Sequence, residues 1–312
     1  MLRGMEIVIA FDGSPSAAAA VRAAGALLPG AHATVASVRH DASAPRDTAA
    51  LARIALPDEV IRTGIAEIDR ALEEEASTTA AEGAQLATEA GLDAEPSVAR
   101  ASGSAWPAIR RLAQERDADM IVCGSRGQGT LARVTLGSTS SSLVHNLERP
   151  VMVVPEEGGT PGGPIVIGYD GSEESAAAIE RAAALFPGRE AVVVHVWESP
   201  LRHTLSGRAL GSVPLSEIRE MTGDFEEYFA DGARLLAEQG AALALDRGLA
   251  ATAVGHEASG AAWRGLADAA RDAGASLVVV GSRGRGALTA TVLGSVSSGL
   301  AHNAETPVLI VP

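Results

Sequence analysis

One glycine-serine pattern, G-x2-G-x9-G-S, occurs twice in this chain, as Gly124, Gly127, Gly137 and Ser138 and as Gly281, Gly284, Gly294 and Ser295, 157 positions later at every point. One copy says little, because turns use glycine freely for its access to positive φ. Two copies in one frame say much more, and the match runs outward from them. Ala105-Trp106 pairs with Ala262-Trp263, Ser125-Arg126 with Ser282-Arg283, and Pro150-Val151-Met152-Val153-Val154-Pro155 with Pro307-Val308-Leu309-Ile310-Val311-Pro312. Near the start of each half, Val8-Ile9-Ala10-Phe11-Asp12-Gly13-Ser14 corresponds to Val166-Ile167-Gly168-Tyr169-Asp170-Gly171-Ser172 at an offset of 158, so the halves differ by one residue of net length between landmarks. The chain is a duplicated domain.

The 312 residues accommodate two domains of about 150 each. A stretch without apolar periodicity, 156–164, joins them. The boundary is expected near residue 157, giving domains 1–157 and 158–312. The net charge of -14 is spread evenly, with 21 acids against 14 arginines in the first half and 18 against 11 in the second. An evenly acidic surface repels a phosphate backbone, which speaks against nucleic-acid or anionic-membrane partners. All 25 basic residues are Arg, which excludes a Walker-A lysine and any lysine Schiff base. Codon bias accounts for that absence as well as any function does. Cys123, the single cysteine, lies in the apolar run Met120-Ile121-Val122-Cys123 and is expected to be a buried small hydrophobe rather than a nucleophile. Glu6 interrupts the apolar stretch near the N-terminus, and no run approaches the ~20 apolar residues that span a bilayer. The expected compartment is the cytoplasm, with no membrane association.

Each half alternates short apolar runs with Ala-rich helical segments. Strands are predicted at 6–11, 33–38, 93–99, 119–123 and 151–154, and at 165–169, 191–196, 250–255, 276–280 and 308–311. Continuous apolar runs such as Leu277-Val278-Val279-Val280 suit strands covered on both faces. Strand-helix alternation then predicts an α/β fold, a parallel sheet with helices on both faces in each domain. Ser14 or Ser16 can cap the helix that follows Asp12, and Ser172 or Ser175 the helix that follows Asp170. A strand order of 3-2-1-4-5 would bring Asp12 and Asp170, at the ends of the first strands, beside Gly124 and Gly281, after the fourth. That is the switch point where doubly wound sheets bind ligands.

Gly124, Gly127 and Gly129 leave room for backbone N–H groups to face an anion, and Gly137-Ser138 opens the last helix of the domain. A helix N-terminus supplies unpaired N–H donors and partial positive charge. Ser138 and Ser140, with Ser295 and Ser297, add hydroxyls, so a triphosphate is a chemically suitable guest. The bland alternative is that the glycines are turns and Ser138 and Ser295 cap helices. The ten-residue separation between Gly127 and Gly137, kept in both copies, exceeds what a simple turn needs. The order G-x-x-G-x-G also differs from the dinucleotide fingerprint G-x-G-x-x-G.

With Asp-Gly-Ser after the first strand, the glycine-serine loop after the fourth and a Pro-Val-x-Val-Val type fifth strand, each present twice, the chain resembles the universal stress protein family in its tandem form. The resemblance implies five-stranded parallel domains of the adenine nucleotide alpha hydrolase-like kind, and its glycine motif marks the ATP-binding branch. By matching position it implies that Asp12 and Asp170 lie beside the nucleotide, that Val38 and Val196 offer main-chain groups to adenine, and that Cys123 and Val280 line the pocket. Gly124, Gly127, Gly137, Ser138, Thr139 and Ser140 would hold ribose and phosphates, as would Gly281, Gly284, Gly294, Ser295, Val296 and Ser297. Thr139 stands where the second half has Val, a small departure if the main chain makes the contact.

Asp12 and Asp170 can ligate a phosphate-bound Mg2+, hydrogen-bond the ribose, or simply cap the following helix. Arg126 and Arg283 can reach a phosphate from within the loop or stay solvated. His145 and His302 suit a helix C-terminus rather than a metal. His195, whose counterpart is Ser37, is not duplicated, and no matched catalytic set appears, so the catalytic residues are unknown. The apolar, proline-bracketed fifth strands invite edge pairing. In the family such edges dimerise, which implies pairing of the two halves within one chain and leaves a homodimer of whole chains open. The poorly matched segments 41–66 and 199–224 are expected to be long loops that close over a ligand, meet a partner, or have merely diverged. Three functions follow: a nucleotide-dependent stress or regulatory module acting on an unidentified protein partner, a slow ATP-hydrolysing or autophosphorylating enzyme using Ser138, Thr139 or Ser140, and a nucleotide-independent scaffold.

Overall fold

The computed structural model describes residues 4–41, 58–127, 136–156, 160–199, 215–284 and 293–312, and the chain divides into two compact units, Met1–Glu156 and Glu157–Pro312. The first unit runs β1 (Glu6–Ala10), α1 (Pro15–Leu27), β2 (His32–His40), α2 (Asp58–Glu89), β3 (Asp93–Ala101), α3 (Trp106–Glu115), β4 (Met120–Gly124), α4 (Ser138–His145) and β5 (Val151–Val154). The second repeats it with β6 (Ile165–Gly168), α5 (Glu173–Leu185), β7 (Glu190–Trp197), α6 (Leu215–Asp246), β8 (Ala250–Glu257), α7 (Ala262–Asp272), β9 (Leu277–Gly281), α8 (Ser295–Asn303) and β10 (Val308–Val311).

Within the first unit the strands are ordered β3-β2-β1-β4-β5, and within the second β8-β7-β6-β9-β10. All pairings within each unit are parallel, with Ile7 opposite Ala33 on one side and Met120 on the other, and Ile165 opposite Ala191 and Leu277. Successive strand residues point to opposite faces. Because Ile7, Val8 and Ile9 are all fully buried, as are Leu277, Val278 and Val279, each sheet is covered on both sides. The strand order 3-2-1-4-5 expected from the sequence is therefore present twice.

The Asp-Gly-Ser corners form because Gly13 and Gly171 adopt φ of +77° and +79°, a region that side chains with a Cβ rarely enter. The chain then enters α1 and α5 through Ser14 and Ser172, whose side chains accept from the N–H of Ala17 and Ser175, each at 3.2 Å. Ser16 and Ser175, the alternatives admitted by the sequence, lie inside the first turn and are not the caps.

The two helices α2 and α6, each of 32 residues, carry a glycine near their C-terminal end, where an aromatic ring from the carboxyl edge of the sheet packs against them. A Cβ on Gly83 would stand 2.6 Å from the Phe11 ring, and one on Gly240 2.7 Å from that of Tyr169. Glycine weakens a helix by about 1 kcal/mol, and here the missing Cβ makes a notch that admits an aromatic ring. These helices also shorten the expected long loops: 58–66 and 215–224 are helical, while 42–57 and 200–214 lie outside the described residues.

Candidate functional site

At the carboxyl ends of β1, β2 and β4, the first unit holds a cleft of about 650 Å3. All nine residues proposed for that domain line it: Asp12 at its β1 corner, Val38 on β2, Cys123 and Gly124 on β4, Gly127 in the loop, and Gly137, Ser138, Thr139 and Ser140 at the start of α4. Gly129 lies outside the described residues.

The three described glycines do not adopt positive φ; close approach is what requires them. A Cβ on Gly124 would press on the backbone of Ser16, 2.6 Å from its carbonyl carbon and 2.7 Å from its oxygen. One on Gly137 would meet Arg126 Cα at 3.3 Å and the Ser125 oxygen at 3.4 Å, where the loop folds back and the Gly137 N–H donates to Ser125 O at 2.7 Å. One on Gly127 would meet only the Asp12 carboxylate, at 2.7 Å from Oδ2. The second unit repeats the arrangement, with Gly281 against Glu174, Gly294 against Arg283 and Ser282, and Gly284 at 2.5 Å from Asp170 Oδ2. Loop and aspartate, separated by more than a hundred residues, thus meet in both domains.

Asp12 Oδ1 accepts from the Ser14 N–H at 3.0 Å, and Asp170 Oδ1 from the Ser172 N–H at 3.0 Å and the Ser172 hydroxyl at 2.5 Å. The aspartates hold the corner, and the helix caps are the serines. At the opposite wall the situation reverses: α4 and α8 begin at Gly137 and Gly294 with no side-chain cap. Ser138 and Ser295 occupy the first helical position, exposed, and do not cap. Ser140 and Ser297 are buried and donate their hydroxyls to Gly124 O and Gly281 O, each at 2.6 Å, tying the helix start to the strand end. Those two hydroxyl protons are spent on the scaffold, and their backbone N–H groups remain as donors.

Burial pushes the Cys123 thiol up to about 12, partly offset by its contact with the Ser140 hydroxyl, so the side chain is an inert part of the cleft wall. The Nδ1–H groups of His145 and His302 donate to Ser141 O at 2.7 Å and Ser298 O at 2.8 Å, inside their own helices. His195 Nδ1–H donates to Tyr169 O at 2.8 Å. Among the described residues no three His, Cys, Asp or Glu side chains gather as a metal site, and no helix is long and apolar enough to cross a membrane.

Arg39 was not legible as a site residue. It lies on β2 past the expected strand end, lines the cleft, and is only 8% exposed. Asp41 at 3.4 Å, Glu73 at 3.5 Å and Asp69 surround its guanidinium, yet its Nε has no hydrogen-bond acceptor. The available signal was the two-residue period Val35-Ser37-Arg39 facing a helix that bears Asp69 and Glu73 one turn apart. The equivalent position in the second unit is Trp197.

An uncapped helix N-terminus, a close-packed glycine loop and a carboxylate on the facing corner can together bind a phosphorylated ligand: the N–H groups take the anion and the carboxylate takes hydroxyls or a cation. Comparison with known proteins identifies the family. The profile described as the universal stress protein family matches residues 5–155 and 163–312. A universal stress protein of Mycobacterium bovis is 32% identical over 248 residues, covering 76% of this chain and 77% of that protein. One from Mycolicibacterium smegmatis is 36% identical over 208 residues, covering 63% of this chain and 62% of that relative. In structure, a universal stress protein from Archaeoglobus fulgidus superposes with a TM-score of 0.59 over 98% of this chain and 97% of its own, at 18% identity, a likeness of fold.

Proposed function

The chain belongs to the universal stress protein family, and from that premise we propose that it is a cytoplasmic regulatory module whose two domains each bind ATP. The observation that carries this is that in each domain an uncapped helix start, that of α4 or α8, adjoins the loop that meets Asp12 or Asp170, whereas α1 and α5, which start at that corner, are capped internally by Ser14 and Ser172. The α3 and α7 helices also lack side-chain caps but do not follow that loop. In this proposal the adenine lies against the main chain at Val38 or Val196, and Asp12 or Asp170 receives the ribose or a phosphate-bound Mg2+. The phosphates take the N–H groups of Ser138, Thr139 and Ser140, or of Ser295, Val296 and Ser297. Magnesium would supply charge neutralisation on the phosphates. The cradle fits such a group, since a Cβ at Gly127 or Gly284 would intrude on the carboxylate facing it. Occupancy would bias the segments that follow β2 and β7 and thereby alter binding of a protein partner.

A second proposal, slow phosphoryl transfer to the protein, is favoured at one atom. The Ser138 side chain is exposed at the phosphate end, whereas the Ser140 hydroxyl is buried and committed to Gly124 O.

The test is mass spectrometry of small molecules released on denaturing gently purified protein, with calorimetric ATP titration of the stripped protein. Two equivalents of adenine nucleotide, reduced to one by Gly137→Val or Gly294→Val, are expected. No release and no heat, with or without magnesium, would overturn the nucleotide function and favour a scaffold. Labelled γ-phosphate absent from both solution and protein would dispose of the transfer reaction alone.

A further inference from the structure

Each glycine loop carries two arginines and no acid, Arg126 and Arg133 in the first and Arg283 and Arg285 in the second, so the charge difference between the domains lies in the helix start that backs the loop. In the first domain Ser16 backs the loop and its hydroxyl accepts from the Arg126 N–H at 3.2 Å. The Arg126 side chain lines the cleft, and the first turn of α1 that backs it carries no acid. In the second domain the matching position is Glu174, whose backbone packs on Gly281 as Ser16 packs on Gly124. Its carboxylate reaches Arg283 Nε at 3.9 Å, with the two side chains 32% and 30% exposed. Glu173 precedes it, so the first turn of α5 carries two acids where that of α1 carries none.

We infer that the two sites are specialised by phosphate charge: the first for a nucleoside triphosphate, the second for a nucleotide bearing a single phosphate. This rests on the proposed nucleotide function and assigns Glu174 as the determinant. Arg126 contributes a full positive charge to an incoming polyphosphate. Arg283 contributes less, because the Glu174 carboxylate stands 3.9 Å from its Nε and offsets part of its charge. A one-charge difference within about 8 Å of the phosphates, at an effective dielectric constant of about 30, changes affinity by roughly tenfold for each unit of ligand charge it meets. The ligand with more phosphate charge loses more.

Calorimetric titration of the full chain with ATP and with AMP tests this, using Gly294→Val to isolate the first site and Gly137→Val to isolate the second. The ATP-to-AMP affinity ratio is expected to be at least tenfold lower at the second site. Glu174→Gln, which keeps shape and removes charge, is expected to strengthen binding of both nucleotides but of ATP more, raising that ratio at least tenfold. Arg126→Gln is expected to lower the ratio at the first site. Equal ratios at the two sites, or a ratio unmoved by Glu174→Gln, would overturn the specialisation while leaving nucleotide binding intact. Failure of both sites to bind either nucleotide would remove the functional proposal and this inference with it.

Discussion

Two glycines three residues apart in the same loop are expected to fail in opposite ways when given one methyl group. Gly124→Ala places a Cβ 2.6–2.7 Å from the backbone carbonyl of Ser16, inside the first turn of α1. Backbone cannot swing aside, so helix and strand must part by several tenths of an ångström. Overpacking of this kind costs about 1–3 kcal/mol, or roughly 2–12 °C in a domain of this size, at about 2–4 °C per kcal/mol. Gly127→Ala meets only the end of the Asp12 side chain, at 2.7 Å from Oδ2 with the next atom at 3.9 Å. Its φ is not positive, so alanine enters without strain and gains about 0.4–1 kcal/mol by restricting the unfolded chain. The carboxylate, however, must leave its position at the cleft. Losing a charge-assisted hydrogen bond to the ligand costs about 1.5–3 kcal/mol, a loss of affinity of roughly ten- to 150-fold. Scanning calorimetry paired with ATP titration reads both effects. Gly124→Ala should lower the melting of the first domain, whereas Gly127→Ala should leave melting near wild type and weaken ATP. If the two variants melt alike, or Gly127→Ala binds ATP as the wild type does, the division of labour within the motif is refuted. Gly281→Ala and Gly284→Ala repeat the test in the second domain.

Two further outcomes follow from buried charge. Between its ordinary value of 9.0 and about 12 the Cys123 thiol ionises in the unfolded chain but not in the folded one. Its contribution to stability is therefore complete below pH 9 and is lost as pH rises through that window, which urea titrations of wild type and Cys123→Ser from pH 8 to 11 would detect as diverging pH dependence. At pH 8 the native thiol should resist a disulfide reagent that labels the denatured chain at once. Arg39→Gln should destabilise the first domain by about 1–2 kcal/mol by urea unfolding, less than a fully buried pair would, because Asp41, Asp69 and Glu73 are each about 40% exposed or more. An unchanged midpoint would mean that those acids are solvated equally well without it.

Most of the architecture was legible because its signals are periodic and local. Runs such as Ile165-Val166-Ile167 announce strands covered on both faces, and duplication doubles every such signal. Strand order then brought Asp12 to Gly127 without any long-range information beyond the switch-point rule. What escaped depends on distances between elements. In the sequence the motif glycines leave room for N–H groups to face an anion, with turns as the alternative; the contacts that require them are with Ser16, Asp12 and Arg126, which spacing along the chain does not encode. Ser140 was expected to face a phosphate, and its proximity to the Gly124 carbonyl commits the hydroxyl instead. Arg39 hid at a charged strand end because charge reads as solvent exposure until the acids of a helix thirty residues away are brought to it.

The ring seated in the helix notch limits how the cleft can communicate. Phe11 borders the cleft and also fills the gap left by Gly83. Neighbouring positions on α2 carry side chains, so the helix cannot slide by a fraction of a turn without driving a methyl or larger group into the ring. Close-packed contacts of this kind have discrete arrangements rather than a continuum. A signal carried by α2 must therefore travel as a step, ring engaged or ring released, so the first domain would behave as a switch with two positions rather than as a dial.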